Sequence, residues 1–412
     1  MQVLHSSLRC RNVSDTIKIG QAYAKEYGIS RLTNITRLDN IGIPVYVSIR
    51  PDASEGSLCV NAGKGITNME AKAGALMEGI ELAVVEPHRK KVPIFKATYS
   101  EVLDSAERPE AILDFCPTMG AEIPLDEEFD CVHALDLFSG KKFVIPAELA
   151  YCPYTEQSGR FFGTSSNGLA SGNSIAEASI HGIFEVIERD ITSFQTLRLD
   201  VSNVDSGSMP KAAQEIYEKV LKAGHDIQVW YAHNEFDIPQ FMAVIIEGNA
   251  ETPMFIHMGF GCHGMKSIAL IRAITEAAQG RLSYIHGGRD DLRTDFDFFH
   301  TLSEKEKYNW YKDLAASIQR VSAKKTIDFE KIHQLNFSFE TIEEYFAALL
   351  DFIRKQGFRH VLQVPFTSEE EPLQVVKMII PRMEFFSDKF PKIGHRLKDY
   401  GYKIANGHFR GA

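Results

Sequence analysis

The chain has 412 residues, a formal net charge of −10, a pI near 5.8, and 44% hydrophobic and 24% charged residues. That balance is ordinary for a soluble globular protein and argues against nucleic acid or an anionic membrane as a partner, since both reward clustered Lys and Arg. No apolar run reaches the roughly 20 residues needed to cross a bilayer, and Met1–Arg11 has no signal-type apolar core, so a cytoplasmic location is expected.

Taken in chain order, the first expected element is a short helix over Asp15–Tyr27, stopped by Gly28 and followed by an extended segment at Arg31–Ile35. Gly42–Ile49 is β-branched and aromatic and reads as a strand. Asn61–Thr67 reads as a glycine-bearing loop, after which Asn68 caps a long helix from Met69 to about Val85. Residues from about 86 to 130, punctuated by Pro87, Pro93, Pro109 and Pro117, read as an irregular peripheral insertion.

A hairpin is expected over Val132–Pro146 around Ser139-Gly140, then a polar loop at Ser165–Gly168 and a second long helix over Ser174–Leu197. Strands follow near Asp226–Tyr231, Gln240–Glu247 and Met254–Gly259, and a third long helix over Lys266–Ile285. Past residue 300 the patterns give a helix near Phe339–Gln356 and strands at His360–Val364 and Leu373–Ile380. Strands and helices are segregated, so the fold class is α+β, with mixed or antiparallel sheets and long helices.

Chemistry concentrates on the helices. Glu78 and Glu81 stand three residues apart beside the apolar Ala75, Leu76, Met77 and Ile80. In the second helix Asn173, Glu177, His181, Glu185 and Glu188 recur at steps of four and three, which places them on one side of the cylinder with Arg189 beside them. No Lys or Arg lies between Gly168 and Glu188, so these acids lack the i+4 cations of a solvated helix face. A single acidic pair would read as solvated surface. Two rows with an asparagine and an arginine favour a site that gathers hard divalent cations.

The third helix carries Arg272, Glu276 and Gln279 on one face, with Arg281 just beyond and Arg289-Asp290-Asp291 after Gly287-Gly288. Arg189 and Arg281 suit phosphate oxygens, although Arg272 and Glu276 read equally as an internal ion pair. In Gly63-Lys64-Gly65 backbone amides and the Lys64 charge could approach a phosphate, but a tight turn explains the tripeptide as well, and no P-loop sequence exists. His257 and His263 lack a third metal ligand nearby. The six scattered cysteines, without any C-x-x-C pair, read mostly as buried thiols.

These residues resemble the YcaO family. Gly63-Lys-Gly-Ile-Thr67 with Ala75-Leu-Met-Glu-Gly-Ile-Glu81 resembles its first signature. Ser166–Asn173, Glu177 and Glu185-Val-Ile-Glu-Arg-Asp190 resemble the second, and Arg272–Arg281 with Gly288-Arg-Asp-Asp291 the third. The resemblance implies a catalytic core over residues 1–300, with 301–412 as its C-terminal part. It also implies an ATP- and Mg2+-dependent enzyme that phosphorylates a backbone amide oxygen of a peptide or protein substrate.

In that reading Glu78, Glu81, Glu185 and Glu188 hold Mg2+, Asn173 and Glu177 complete the nucleotide site, and Arg189 and Arg281 neutralise phosphate charge. Lys64, Arg9 and Thr16 stand near the phosphates. Gly74 replaces the serine of the first signature, removing one hydroxyl. Asn406–Ala412 lacks the P-x-P-x-P tail of azoline-forming members, which favours thioamide formation over azoline or amidine formation. Arg37–Pro44 and the third signature look most like members that work beside a TfuA-type protein. The expected partners are therefore a TfuA-like or E1-like protein, or a second copy of the chain. A nucleotide-binding scaffold without turnover is the alternative from another class.

Overall fold

The computed structural model describes residues 2–105, 111–154, 161–248, 255–322, 325–387 and 391–406; the C-terminal stretch 407–412, read above for its lack of a proline tail, lies outside them. The first elements are β1 (Gln2–Val3), β2 (Leu8–Arg9), α1 (Val13–Tyr23), β3 (Arg31–Asn34), β4 (Val45–Ile49), β5 (Val60–Lys64) and α2 (Asn68–Val84). Next come β6 (Phe95–Thr98), α3 (Tyr99–Ser105), α4 (Ala111–Asp114), β7 (Glu128–Asp136), β8 (Lys142–Pro146), α5 (Ala147–Ala150), β9 (Leu169–Gly172) and α6 (Ile175–Leu197). The chain continues through β10 (Val201–Val204), α7 (Lys211–Lys222), β11 (Asp226–Ala232), β12 (Gln240–Ile246), β13 (Ile256–Cys262) and α8 (Lys266–His286). It closes with α9 (Arg293–Thr301), α10 (Glu304–Ser322), β14 (Thr326–Ile327), α11 (Ile342–Lys355), β15 (Leu362–Pro365), β16 (Gln374–Ile379) and α12 (His395–Ala405). The class is α+β. Among the described residues no helix is long and apolar enough to cross a membrane.

The chain divides into two compact units. One comprises Met1–Ala53, Leu58–Ile80 and Asp200–Phe337; the other comprises Ser54–Ser57, Glu81–Leu199 and Ser338–Ala412. The division falls inside α2, between Ile80 and Glu81.

In the first unit β13-β12-β11-β10-β14 form one sheet and β3-β4-β5 another. Every residue of β12 is buried, because both faces of the larger sheet are covered. Phe241, Ala243 and Ile245 meet α7 and α8 on one side, whereas Met242, Val244 and Ile246 meet Ile318 and Leu314 of α10 on the other. Period-two alternation thus sends neighbouring side chains into two separate cores.

The stretch Asn61–Thr67 departs from the expected loop. Val60–Lys64 is strand β5, antiparallel to β4 with Gly63 opposite Tyr46. Gly63 is there for packing: a Cβ would lie 1.9 Å from the Ala75 nitrogen and 2.3 Å from the Ala71 oxygen of α2. The backbone of this tripeptide is committed to pairing and helix contact, so it is not an amide cradle for phosphate.

The second unit carries the sheet β6-β7-β15-β16-β9, with β8 also paired to β7. Among the described residues between 86 and 130, β6 is a sheet strand and Tyr99 and Val102 of α3 are fully buried, where irregular structure was expected. Helix α6 lies on this sheet, close enough that a Cβ on Gly182 would come within 2.7 Å of the Gly168 oxygen. Ser174 caps α6 by accepting the Glu177 N–H at 3.2 Å. Thr341 and Glu344 form a reciprocal capping box at the start of α11, which packs on α6.

Candidate functional site

In the first unit two of the expected site residues, Lys64 and Glu78, share the neighbourhood of Glu276 and Arg289. Lys64, the last residue of β5, places its Nζ on the Glu276 carboxylate of α8. The other carboxylate oxygen accepts the Phe260 N–H of β13 at 3.4 Å. One step along α8, Gln279 donates Nε2 to the Ala62 oxygen at 2.7 Å. Arg289 grips Asp291 through two parallel bonds, Nε–Oδ1 at 3.0 Å and Nη2–Oδ2 at 2.7 Å. Burial opposes the Arg289 charge, but Asp291, Glu78 and Glu276 outweigh it and hold its pKa above the ordinary value. Glu78 therefore shares one electrostatic neighbourhood with Arg289 and Glu276. Arg289 stood in the third signature but was not among the predicted site residues.

Arg281 sits elsewhere in that unit. It is 5% exposed, with Nε on Asp39 at 3.3 Å and Nη1 on Glu247 at 2.8 Å. Two carboxylates already neutralise it, so it anchors α8 to the segment between β3 and β4 and to the end of β12. Thr16 is fully buried and donates Oγ1 to the Asn12 oxygen within α1, and Arg9 donates Nε to Ser7 at 3.2 Å. His257 and His263 are buried, which drives their pKa values down to about 3 and keeps both imidazoles neutral.

In the second unit the acidic row lies on α6. Asn173 donates Nδ2 to both Glu177 oxygens, at 2.9 and 3.1 Å, and both residues are buried. Glu188 is 5% exposed, while Glu185 and Arg189 are partly open. Asp190 turns inward to Arg396, whose Nη1 approaches at 2.5 Å and Nη2 at 3.2 Å.

Sequence reasoning missed Lys377. This lysine of β16 is 2% exposed and donates Nζ to the Ser165 oxygen at 2.5 Å. Burial pushes its pKa down, and the Glu185 and Glu81 carboxylates push back. One buried ammonium therefore feels an acid from α2 and an acid from α6 together. Only the strand-like run Leu373–Ile380 hinted at it, because a lone charge inside an apolar strand has to find a partner.

Carboxylate oxygens are the donor type that a nucleotide-bound Mg2+ takes. Among the described residues no group of three or more His, Cys, Asp or Glu side chains closes into a metal cage. Mg2+ is ordinarily held by one or two carboxylates together with waters and substrate phosphates, so an open set of oxygen donors is the chemistry it takes. Glu78 and Glu81 on α2, and Glu185 and Glu188 on α6, supply that donor type.

The family model "YcaO cyclodehydratase, ATP- and Mg2+-binding" matches residues 62–384. A protein of Methanothermobacter thermautotrophicus is 31% identical over 392 residues, 93% of this chain and 97% of that one. A protein in the tfuA 3' region of Rhizobium leguminosarum bv. trifolii is 30% identical over 386 residues, 91% of this chain and 88% of that one. Among solved structures, YcaO from Methanopyrus kandleri bound with AMPPCP and Mg2+ aligns with a TM-score of 0.73 at 20% identity, over 95% of this chain and 97% of that one. The class is thus an ATP- and Mg2+-binding one of the cyclodehydratase type. This chain belongs to the YcaO family.

Proposed function

We propose that the chain activates a backbone amide of a peptide or protein by ATP-dependent phosphorylation, with external sulfide as the nucleophile and a thioamide as the product. The observation that supports the reading is that the charges of Glu81 on α2 and Glu185 on α6 both act on the buried ammonium of Lys377. Acids from two helices acting on one cation are the charge pattern that an anion-and-metal site would use. Mg2+ bound there would supply Lewis-acid stabilisation of phosphoryl charge.

Glu78, Glu81, Glu185 and Glu188 would hold the metal. Asn173 keeps Glu177 fixed for the nucleotide, and Arg189 offers a guanidinium beside the α6 acids. On the α8 side the charge-neutralising role passes from Arg281 to Arg289, because Arg289 shares its field with Glu78. Lys64 would serve phosphate by leaving Glu276.

In the proposed reaction the sulfur of hydrosulfide bonds to the amide carbon, and the amide oxygen takes the γ-phosphoryl group. The carbon–oxygen bond then breaks. The products are the thioamide, ADP and inorganic phosphate that carries the former amide oxygen and the sulfide proton.

The preference for sulfide rests on the likeness at Arg37–Pro44 to TfuA-associated members and on the Rhizobium relative in the tfuA 3' region. A TfuA-like protein is accordingly the proposed partner. The family description favours a second reading, cyclodehydration with a neighbouring Cys, Ser or Thr as nucleophile. Mass spectrometry of a candidate peptide incubated with the chain, MgATP and sulfide separates the two: exchange of oxygen for sulfur supports thioamidation, and loss of water supports azoline formation. An unchanged peptide with no ATP consumed would count against both.

A further inference from the structure

Asn61 is fully buried in β5, yet among the described residues neither Oδ1 nor Nδ2 of its side chain has a hydrogen-bond partner. A buried amide with both ends unused is costly, and native proteins rarely leave one so without a task.

Its surroundings define that task. Side chains alternate along β5, so Asn61 points to the same side as Gly63, whose would-be Cβ runs into Ala71, Gly74 and Ala75 of α2. Ser48, opposite Asn61 across the β4–β5 ladder, confirms the direction by donating Oγ to the Ala75 oxygen at 2.6 Å. The two elements run antiparallel: Gly65 meets Glu70 and Ala71, Gly63 meets Ala71 to Ala75, and Ser48 lies 2.5 Å from a Cβ built on Gly79. Asn61 therefore stands at the level of Glu78 and Gly79. From the other direction, the Cys59 N–H donates to Asp290 at 3.1 Å and Val60 lies beside Gly288, which brings the Arg289 loop to the start of the same strand. Arg289 and Glu78 already share a field.

We propose that Asn61 is a positioning residue for Glu78, its unused side-chain amide hydrogen-bonding the Glu78 carboxylate in the nucleotide-bound protein. This rests on the reading of Glu78 as a ligand of the metal–nucleotide. A carboxylate that binds a metal is oriented by hydrogen bonds behind it, and loss of such a partner typically weakens binding about 10–100-fold.

The test uses the full chain and MgAMPPCP as probe, with calorimetric titration for affinity and thermal melting without nucleotide for stability. Asn61→Leu is expected to melt at or above the parent temperature and to bind about tenfold more weakly. Asn61→Ser, which keeps a short donor, is expected to fall between the two. Parent-like affinity in Asn61→Leu would overturn the assignment. Where the leucine variant does not fold, parent-like affinity in the serine variant overturns it equally. A parent chain that does not bind the probe defeats the functional reading itself, whereas equal binding by parent and variants defeats only the role of Asn61.

Discussion

The Lys64 ammonium rests on the Glu276 carboxylate, so the end of β5 is tied to the middle of α8. The two side chains are 20% and 27% exposed, and a pair so open to water contributes at most about 1 kcal/mol. Glu276→Gln is expected to cost no more than that in a thermal or urea melt. It also frees Lys64 for phosphate, so the variant should bind MgAMPPCP at least as tightly as the parent, while Lys64→Met should bind more weakly.

Asn173 holds Glu177 through both carboxylate oxygens inside the start of α6. Asn173→Ala removes both of these bonds to the buried carboxylate, and nucleotide affinity should fall about 10–100-fold. A KM for MgATP that stays at the parent value would contradict the role given to this pair.

Lys392 is 6% exposed, and burial followed by repulsion from Lys377 lowers its pKa from 10.5 to about 8. The folded pKa lies below the unfolded one, so the unfolded chain binds the extra proton across that window. Stability from this group must therefore rise as pH increases from about 8 towards 10.5. At pH 7 the protonated form costs the fold on the order of 3 kcal/mol. Lys392→Met should flatten the rise, as read by urea midpoints at stepped pH, although it also gives up the bond to the Gly163 oxygen at 2.9 Å.

Two glycines at the contact of β5 with α2 should respond differently. A Cβ on Gly63 would stand 1.9 Å from backbone nitrogen, and a β-strand pinned to a helix has no room to give. Gly63→Ala should destabilise by about 3 kcal/mol or more. On Gly74 the nearest atom is the Gly63 Cα at 3.2 Å, which a shift of a few tenths of an ångström relieves. Gly74→Ser should fold, and it would restore the hydroxyl missing from the first signature. Its melting temperature beside that of Gly63→Ala checks the contrast.

The two helices that carry the candidate acids could be read from the sequence because α2 and α6 follow helical periodicity closely. The expected Met69–Val85 and Ser174–Leu197 became Asn68–Val84 and Ile175–Leu197. What stayed hidden was set by tertiary packing. Asn61–Gly63 lacks the alternation of a strand, and its glycine exists for the approach of a helix. Arg281 looked free for phosphate until the fold brought it Asp39, 242 residues away. Lys377 had only the strand-like run Leu373–Ile380 to hint at it, since its partner Ser165 lies 212 residues upstream. The helices α9 and α10, and the short strand β10, went unseen among weakly patterned segments.

Carboxylates of α2 and α6 are proposed to hold a metal–nucleotide. The most direct test is calorimetric titration of the full chain with AMPPCP, with and without Mg2+, in the parent and in Glu188→Gln. The account predicts saturable binding in the parent that requires Mg2+ and disappears in Glu188→Gln at unchanged melting temperature. Equal binding with and without Mg2+, or equal binding by Glu188→Gln, would contradict it.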